Sequence, residues 1–103
     1  MKARPVSNDD AGYQAAMMTL VHQASVAWVA SWRDSLAKDG RPVEGGWPGT
    51  IGEARAWVQS RVAPGLTQRG LPQPTREGAT QAARDLYSVA RTAWLSEAVT
   101  GRG

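Results

Sequence analysis

Apolar residues recur at helical spacing in three stretches of the chain, separated by two segments rich in Gly and Pro. In the first stretch neither Gly nor Pro occurs between Tyr13 and Asp39, and the apolar positions form two stripes. Tyr13, Met17, Leu20, Ala24 and Ala27, with Trp28 beside them, step by fours and threes. So do Met18, His22, Ser25, Val29, Trp32 and Leu36. At about 100° per residue the two stripes lie about 140–160° apart, on nearly opposite faces of one helix. Ser7 with Asp10 suits an N-cap, and Asp9 and Asp10 place negative charge at the positive end of the helix dipole. Gly40 suits the left-handed cap and Pro42 forbids continuation, so the pattern predicts a first helix over about 9–39.

The segment from Lys38 to Thr50 holds four Gly and two Pro and reads as a long loop. Thr50 followed by Glu53 forms a capping box, in which each side chain satisfies a backbone donor at the start of the next helix. That helix is expected over about 51–63, with Ile51, Ala54, Val58 and Val62 on its apolar side and Trp57 at the margin. Pro64-Gly65 should end it, with a short turn continuing to Arg69. Gly70, Pro72 and Pro74 mark the second loop, and Thr75 is the N-cap of a third helix over about 75–99, stopped by Gly101. Its inner face, Ala79, Ala82, Ala83, Leu86, Ala90 and Ala93, is almost entirely small. Small residues let helix axes approach, so a bulky face must fill the space, and the Trp- and Met-rich first helix supplies one. No strand-period alternation, internal repeat or low-complexity tract competes. The expected fold class is all-α, a three-helix bundle forming one domain over 1–103 with short flexible termini at 1–7 and 100–103.

A first helix of about 30 residues is about 45 Å long, whereas a compact chain of this size has a radius of gyration near 13 Å. Such a rod protrudes, bends or pairs with something. Either the other two helices straddle it and cover both stripes, or one stripe is an interface. The candidate interface residues are Met18, His22, Val29, Trp32 and Leu36, since Trp and Met are favoured where subunits or partners meet. A homo-oligomer or a protein partner is the expected occupant. His22, in the middle of that stripe, reads first as a packed, hydrogen-bonded side chain.

The chain has 103 residues, 42% apolar and 20% charged, enough for one modest core. Its lack of Cys excludes disulfides, thiolate metal sites and a cysteine nucleophile, and its single His excludes any site built on two imidazoles. Net charge is +3, unevenly placed: residues 54–103 carry seven basic groups against three acidic ones. On the third helix Arg84 and Arg91 project outward and Arg76 lies nearer the edge, which makes these three the candidates for phosphate contact with nucleic acid. Glu77 and Asp85 partly cancel them. A third helix of this length after a Pro-rich loop is unlike a compact recognition helix. Ten of the twelve basic groups are Arg, which with 17 Ala also fits a GC-rich coding bias.

Gly45-Gly46-Trp47-Pro48-Gly49-Thr50 feeds a helix N-terminus, but the Lys of a nucleotide-binding P-loop is missing. Trp47 is expected either to fold back as an anchor for the loop or to be displayed to a partner. Trp47, Pro48 and Gly49 resemble the W-x-G turn of the small helical-hairpin proteins exported by type VII secretion, which also run to about 100 residues without Cys. The resemblance covers three residues and a length. It departs at Arg91, where an acidic residue should follow Tyr87 by four, and at Pro64, Pro72 and Pro74, which interrupt what should be one long second helix.

No nucleophile elbow, His pair or Glu-x-x-His is present, so no catalytic residue, metal or cofactor is expected. The longest apolar run, Val26 to Ala30, is far short of the roughly 18–20 residues that span a bilayer. Met1 to Arg4 could open a signal peptide, but Pro5 to Asp10 is polar where an apolar segment should follow. The expected protein is cytoplasmic, of bacterial character, and a small non-enzymatic accessory or regulatory protein. It would act by helix-mediated self-association or docking, with nucleic-acid contact through the third helix. The alternative is a purely protein-directed adaptor or inhibitor with no nucleic-acid role.

Overall fold

Apolar spacing and end signals produce three rods. The structure, a computed structural model, describes residues 11–40 and 46–100, with side chains as far as Ser96. The expected cap at Ser7 and Asp10, the stop at Gly101 and the flexible termini lie outside the described residues, apart from Thr100, the last residue of the third rod. Helix α1 spans Ala11–Lys38. Helix α2 (Ile51–Trp57), a π-helical turn (Val58–Val62) and helix α3 (Ala63–Gln68) follow one another without a break as the middle rod. Helix α4 spans Arg76–Thr100. Tyr13, early in α1, donates its hydroxyl hydrogen to Pro72 O at 2.9 Å, just ahead of α4, while Trp28 lies 6.3 Å from Tyr87 farther along. So α1 and α4 run parallel, with the middle rod antiparallel to both. This is an all-α three-helix bundle, and its radius of gyration of 15.7 Å exceeds the roughly 13 Å of a compact chain of this length.

The ends follow their local chemistry. Gly40 and Gly70 both take φ 71°, the left-handed conformation that suits glycine. At Gly70 the closing bonds run from Gly70 N to Thr67 O at 3.0 Å and from Leu71 N to Leu66 O at 2.9 Å, and Leu71 folds back on the core. Thr75 accepts the backbone N–H of Gly78 at 3.0 Å and so caps α4. Thr50 accepts that of Glu53 at 3.1 Å. The reciprocal half of the expected capping box is not made, because the Glu53 carboxylate turns towards α1 instead.

Pro64 does not end the middle rod as its chemistry suggested. It sits in the first turn of α3, where a missing N–H is tolerated, and the preceding turn is widened, with Ala63 N–H bonding back to Val58 O. The helix therefore continues to Gln68, five residues beyond the expected end. Gln73 Nε2 donates to Ala63 O and to Thr67 Oγ1, both at 2.9 Å, tying the second loop to this stretch.

Both expected stripes of α1 contribute to the core, Tyr13, Met17, Leu20 and Trp28 from one and Val29 and Leu36 from the other. From α4 come Ala82, Ala83, Leu86 and Ala90, joined by Trp94, which the small-residue face did not foreshadow. A buried indole contributes about 4–6 kcal/mol at ~25 cal/mol per Å2, an alanine methyl about 0.8, so the tryptophans carry this core. The middle rod supplies Ala54, Val58, Val62 and Leu66. Ile51 stands 45% exposed at the start of α2, a correction to its expected place on the apolar side. At Gly65 a Cβ would overlap Leu20, so the absence of a side chain is what lets α3 approach α1.

Candidate functional site

Trp28 and Trp32 are one helical turn apart on α1, and Glu53 lies in the first turn of α2. The indole N–H groups of both donate to one carboxylate oxygen, Glu53 Oε1, Trp28 at 3.1 Å and Trp32 at 2.8 Å. Trp28 is buried, and a buried N–H without an acceptor is costly, which gives the carboxylate a structural task. Trp47 arrives from the long loop and packs edge-on against Trp28, centroids 4.9 Å apart at 77°. It also lies 5.4 Å from Trp94. The expected loop tryptophan is thus laid against the bundle, half-buried. A Cβ on Gly49 would fall 2.6 Å from Trp28 Cζ2 and overlap Trp47, so this glycine is required by space. Trp57 carries the Arg61 guanidinium 5.4 Å from its ring centroid. Trp28, Ser31, Trp32, Ser35, Glu53 and Trp57 line an open cleft of about 310 Å3.

The five expected interface residues do not stay together. Val29 and Leu36 are core residues, 5% and 8% exposed, because the middle rod and α4 straddle α1 and cover much of both stripes. Neither can meet a partner. Trp32 is half-buried and engaged with Glu53. Met18 and His22 face solvent. The exposed face of α1 instead runs through Ala15, Met18, His22, Val26 and Ala30, with Met18 49% and Val26 58% exposed. From Ala11 to Trp32 there is no Asp, Glu, Lys or Arg at all. That charge-free run is visible in the sequence, and because it covers all sides of the helix the exposed side of α1 in this stretch carries no charge.

Arg76, Arg84 and Arg91 are all exposed. By helical spacing they fall within a sector of about 80° on α4 and span about 22 Å along it. Arg76 also lines an open cleft of about 350 Å3 with Arg55 of α2, a neighbour that reading α4 alone could not supply. Asp85 accepts from Gln81 at 2.9 Å and, with Glu77, lines the side of α4 nearest Tyr13 and Met18.

Burial pushes the Tyr13 phenol above its ordinary value of 10.0. Among the described residues no group of three or more His, Cys, Asp or Glu could hold a metal ion, and no helix is long and apolar enough to cross a membrane. The chain matches no protein-family model, no curated protein and no solved structure.

Proposed function

We propose that this is a binding protein whose docking surface is the outward face of α1 and whose occupant is a second copy of the chain. The observation that carries the reading is the charge-free run from Ala11 to Trp32, with Met18 and Val26 half-exposed on either side of His22. An exposed helix face ordinarily carries charge, and a neutral apolar one gains by leaving water. The chain is +3 overall, yet α1 itself presents no charge from Ala11 to Trp32 to repel an identical helix; the nearest acids, Glu77 and Asp85, lie on α4 beside Met18. Met18 and Val26 each stand four residues from His22. An antiparallel pairing about a two-fold axis at His22 therefore sets Met18 of one copy against Val26 of the other, the self-complementarity an isologous interface requires.

The strip from Ala15 to Ala30 is about 23 Å long and about 10 Å wide, well below the ~800 Å2 per partner of a stable complex. The expected association is therefore weak, in the micromolar to millimolar range. Light scattering after size-exclusion chromatography tests it. The wild type should gain mass with concentration, and a Met18→Glu/Val26→Glu double variant should stay monomeric with unchanged helicity. A wild type that remains monomeric at millimolar concentration would contradict the reading.

A second reading rests on the exposed arginines of α4. Arg76, Arg84 and Arg91, with Arg55 beside the first, present guanidinium groups along one side, the arrangement that neutralises successive phosphates. Retention of the protein on duplex DNA at low salt should fall in an Arg84→Gln/Arg91→Gln variant; equal retention would remove this reading.

A further inference from the structure

The cleft between α1 and α2 holds a negative charge that the fold does not neutralise. Both indole N–H groups that bond Glu53 are neutral donors, so they fix the position of Oε1 and leave the full charge in place. No ion pair to Glu53 is found among the described residues, and none of the other residues lining the cleft is charged. We propose that this cleft is a binding site for an organic cation, an alkylammonium or guanidinium head group, held by Glu53 beside the Trp57 indole.

Each part of the lining suits that chemistry. The carboxylate is half-buried and supplies the countercharge, which is worth more there than in open water. Trp32 and Trp57 are half-buried and line the cleft, Trp32 with its N–H edge on Oε1, so the aromatic surface offered to a cation is that of Trp57. Trp57 already draws a guanidinium, that of Arg61, to 5.4 Å, and Arg61 is not among the residues lining the cleft. Ser31 and Ser35, one turn apart on α1 and both exposed, offer hydroxyl acceptors to an N–H donor at the rim. A space of about 310 Å3 admits a head group of several non-hydrogen atoms. The cleft is separate from the outward strip of α1, so the site does not depend on self-association.

The test is a titration of the full chain with tetramethylammonium chloride and, separately, methylguanidinium chloride, with total chloride held constant by sodium chloride. The indole N–H resonances are followed by NMR. At least one cation should shift the Trp32 and Trp57 resonances saturably, with a midpoint in the millimolar range, and leave Trp94 in place; which cation does so identifies the head group. Glu53→Gln keeps an acceptor oxygen for the indoles and should weaken binding at least ~10-fold, the equivalent of ~1.4 kcal/mol. Ser35→Lys leaves Glu53 intact, supplies an ammonium from the chain itself, and should abolish the saturable response. Shifts that do not saturate with either cation, shifts reproduced by neutral tert-butanol, or unchanged midpoints in both variants would overturn the proposal.

Discussion

Trp32 and Glu53 meet across the boundary of α1 and α2 at 2.8 Å, and the oxygen that accepts Trp32 also accepts Trp28 at 3.1 Å. One carboxylate thus joins two turns of the longest helix to the first turn of the next. Glu53→Ala leaves the buried Trp28 donor without its acceptor and should cost about 1–3 kcal/mol, while Glu53→Gln, which keeps a carbonyl oxygen, should cost less. Urea unfolding of the two variants beside the wild type measures the difference. Equal losses would mean that the charge, and not the acceptor, is what the fold uses.

Gly49 is hemmed in by two indole rings, whereas a Cβ at Gly46 would meet nothing within 4 Å. Gly49→Ala should therefore destabilise by about 1–3 kcal/mol, the cost of overpacking, and shift the tryptophan emission to the red as Trp47 is displaced. Gly46→Ala should stay within about 0.5 kcal/mol of wild type. Unfolding curves with fluorescence detection report both quantities in one experiment, and matched behaviour of the two variants would refute the packing account.

At the closest approach of α3 to α1, Gly65→Ala gains up to about 1 kcal/mol of helix propensity but drives a methyl into Leu20. The overlap should win, giving a net loss. A double-mutant cycle with Leu20→Ala should then show a compensating coupling of about 0.5–3 kcal/mol, since the truncated side chain makes room. Strict additivity would show that the contact is not what the glycine serves.

Burial raises the Tyr13 phenol above 10.0, so the folded state keeps its proton at a pH where the unfolded chain has released it. Tyr13 accordingly contributes stability that is complete below pH 10.0 and lost as pH rises through the folded value. Tyr13→Phe should cost about 0.5–1.5 kcal/mol at neutral pH through the lost bond to Pro72 and should decline less steeply than the wild type above pH 10. Urea midpoints at pH 7 and in the alkaline range decide it. Parallel decline of the two proteins would place the alkaline sensitivity elsewhere.

Helix positions were legible because they rest on local chemistry: Thr50, Thr75, Gly40 and Gly70 do at the rod ends what their types allow. Pro64 was misleading because the widened turn Val58–Val62 delivers it to the first turn of α3, where no N–H is needed, and nothing in the residue types of that turn announces the widening. The choice between the two stripes of α1 could not be made from spacing, since burial of Val29 and Leu36 is decided by which neighbours arrive. Glu53 looked like half of a capping box, and only the meeting of α1 with α2 reveals two indoles competing for the same carboxylate.

The docking claim is tested most directly by a cross-link, because the chain has no Cys of its own. A His22→Cys variant carries one thiol at the centre of the exposed strip, and an Ala56→Cys variant carries one at an exposed position on α2. Under mild oxidation at equal concentration, the account predicts that the His22→Cys chain forms a disulfide-linked dimer much faster than the Ala56→Cys chain. Equal rates for the two would contradict it.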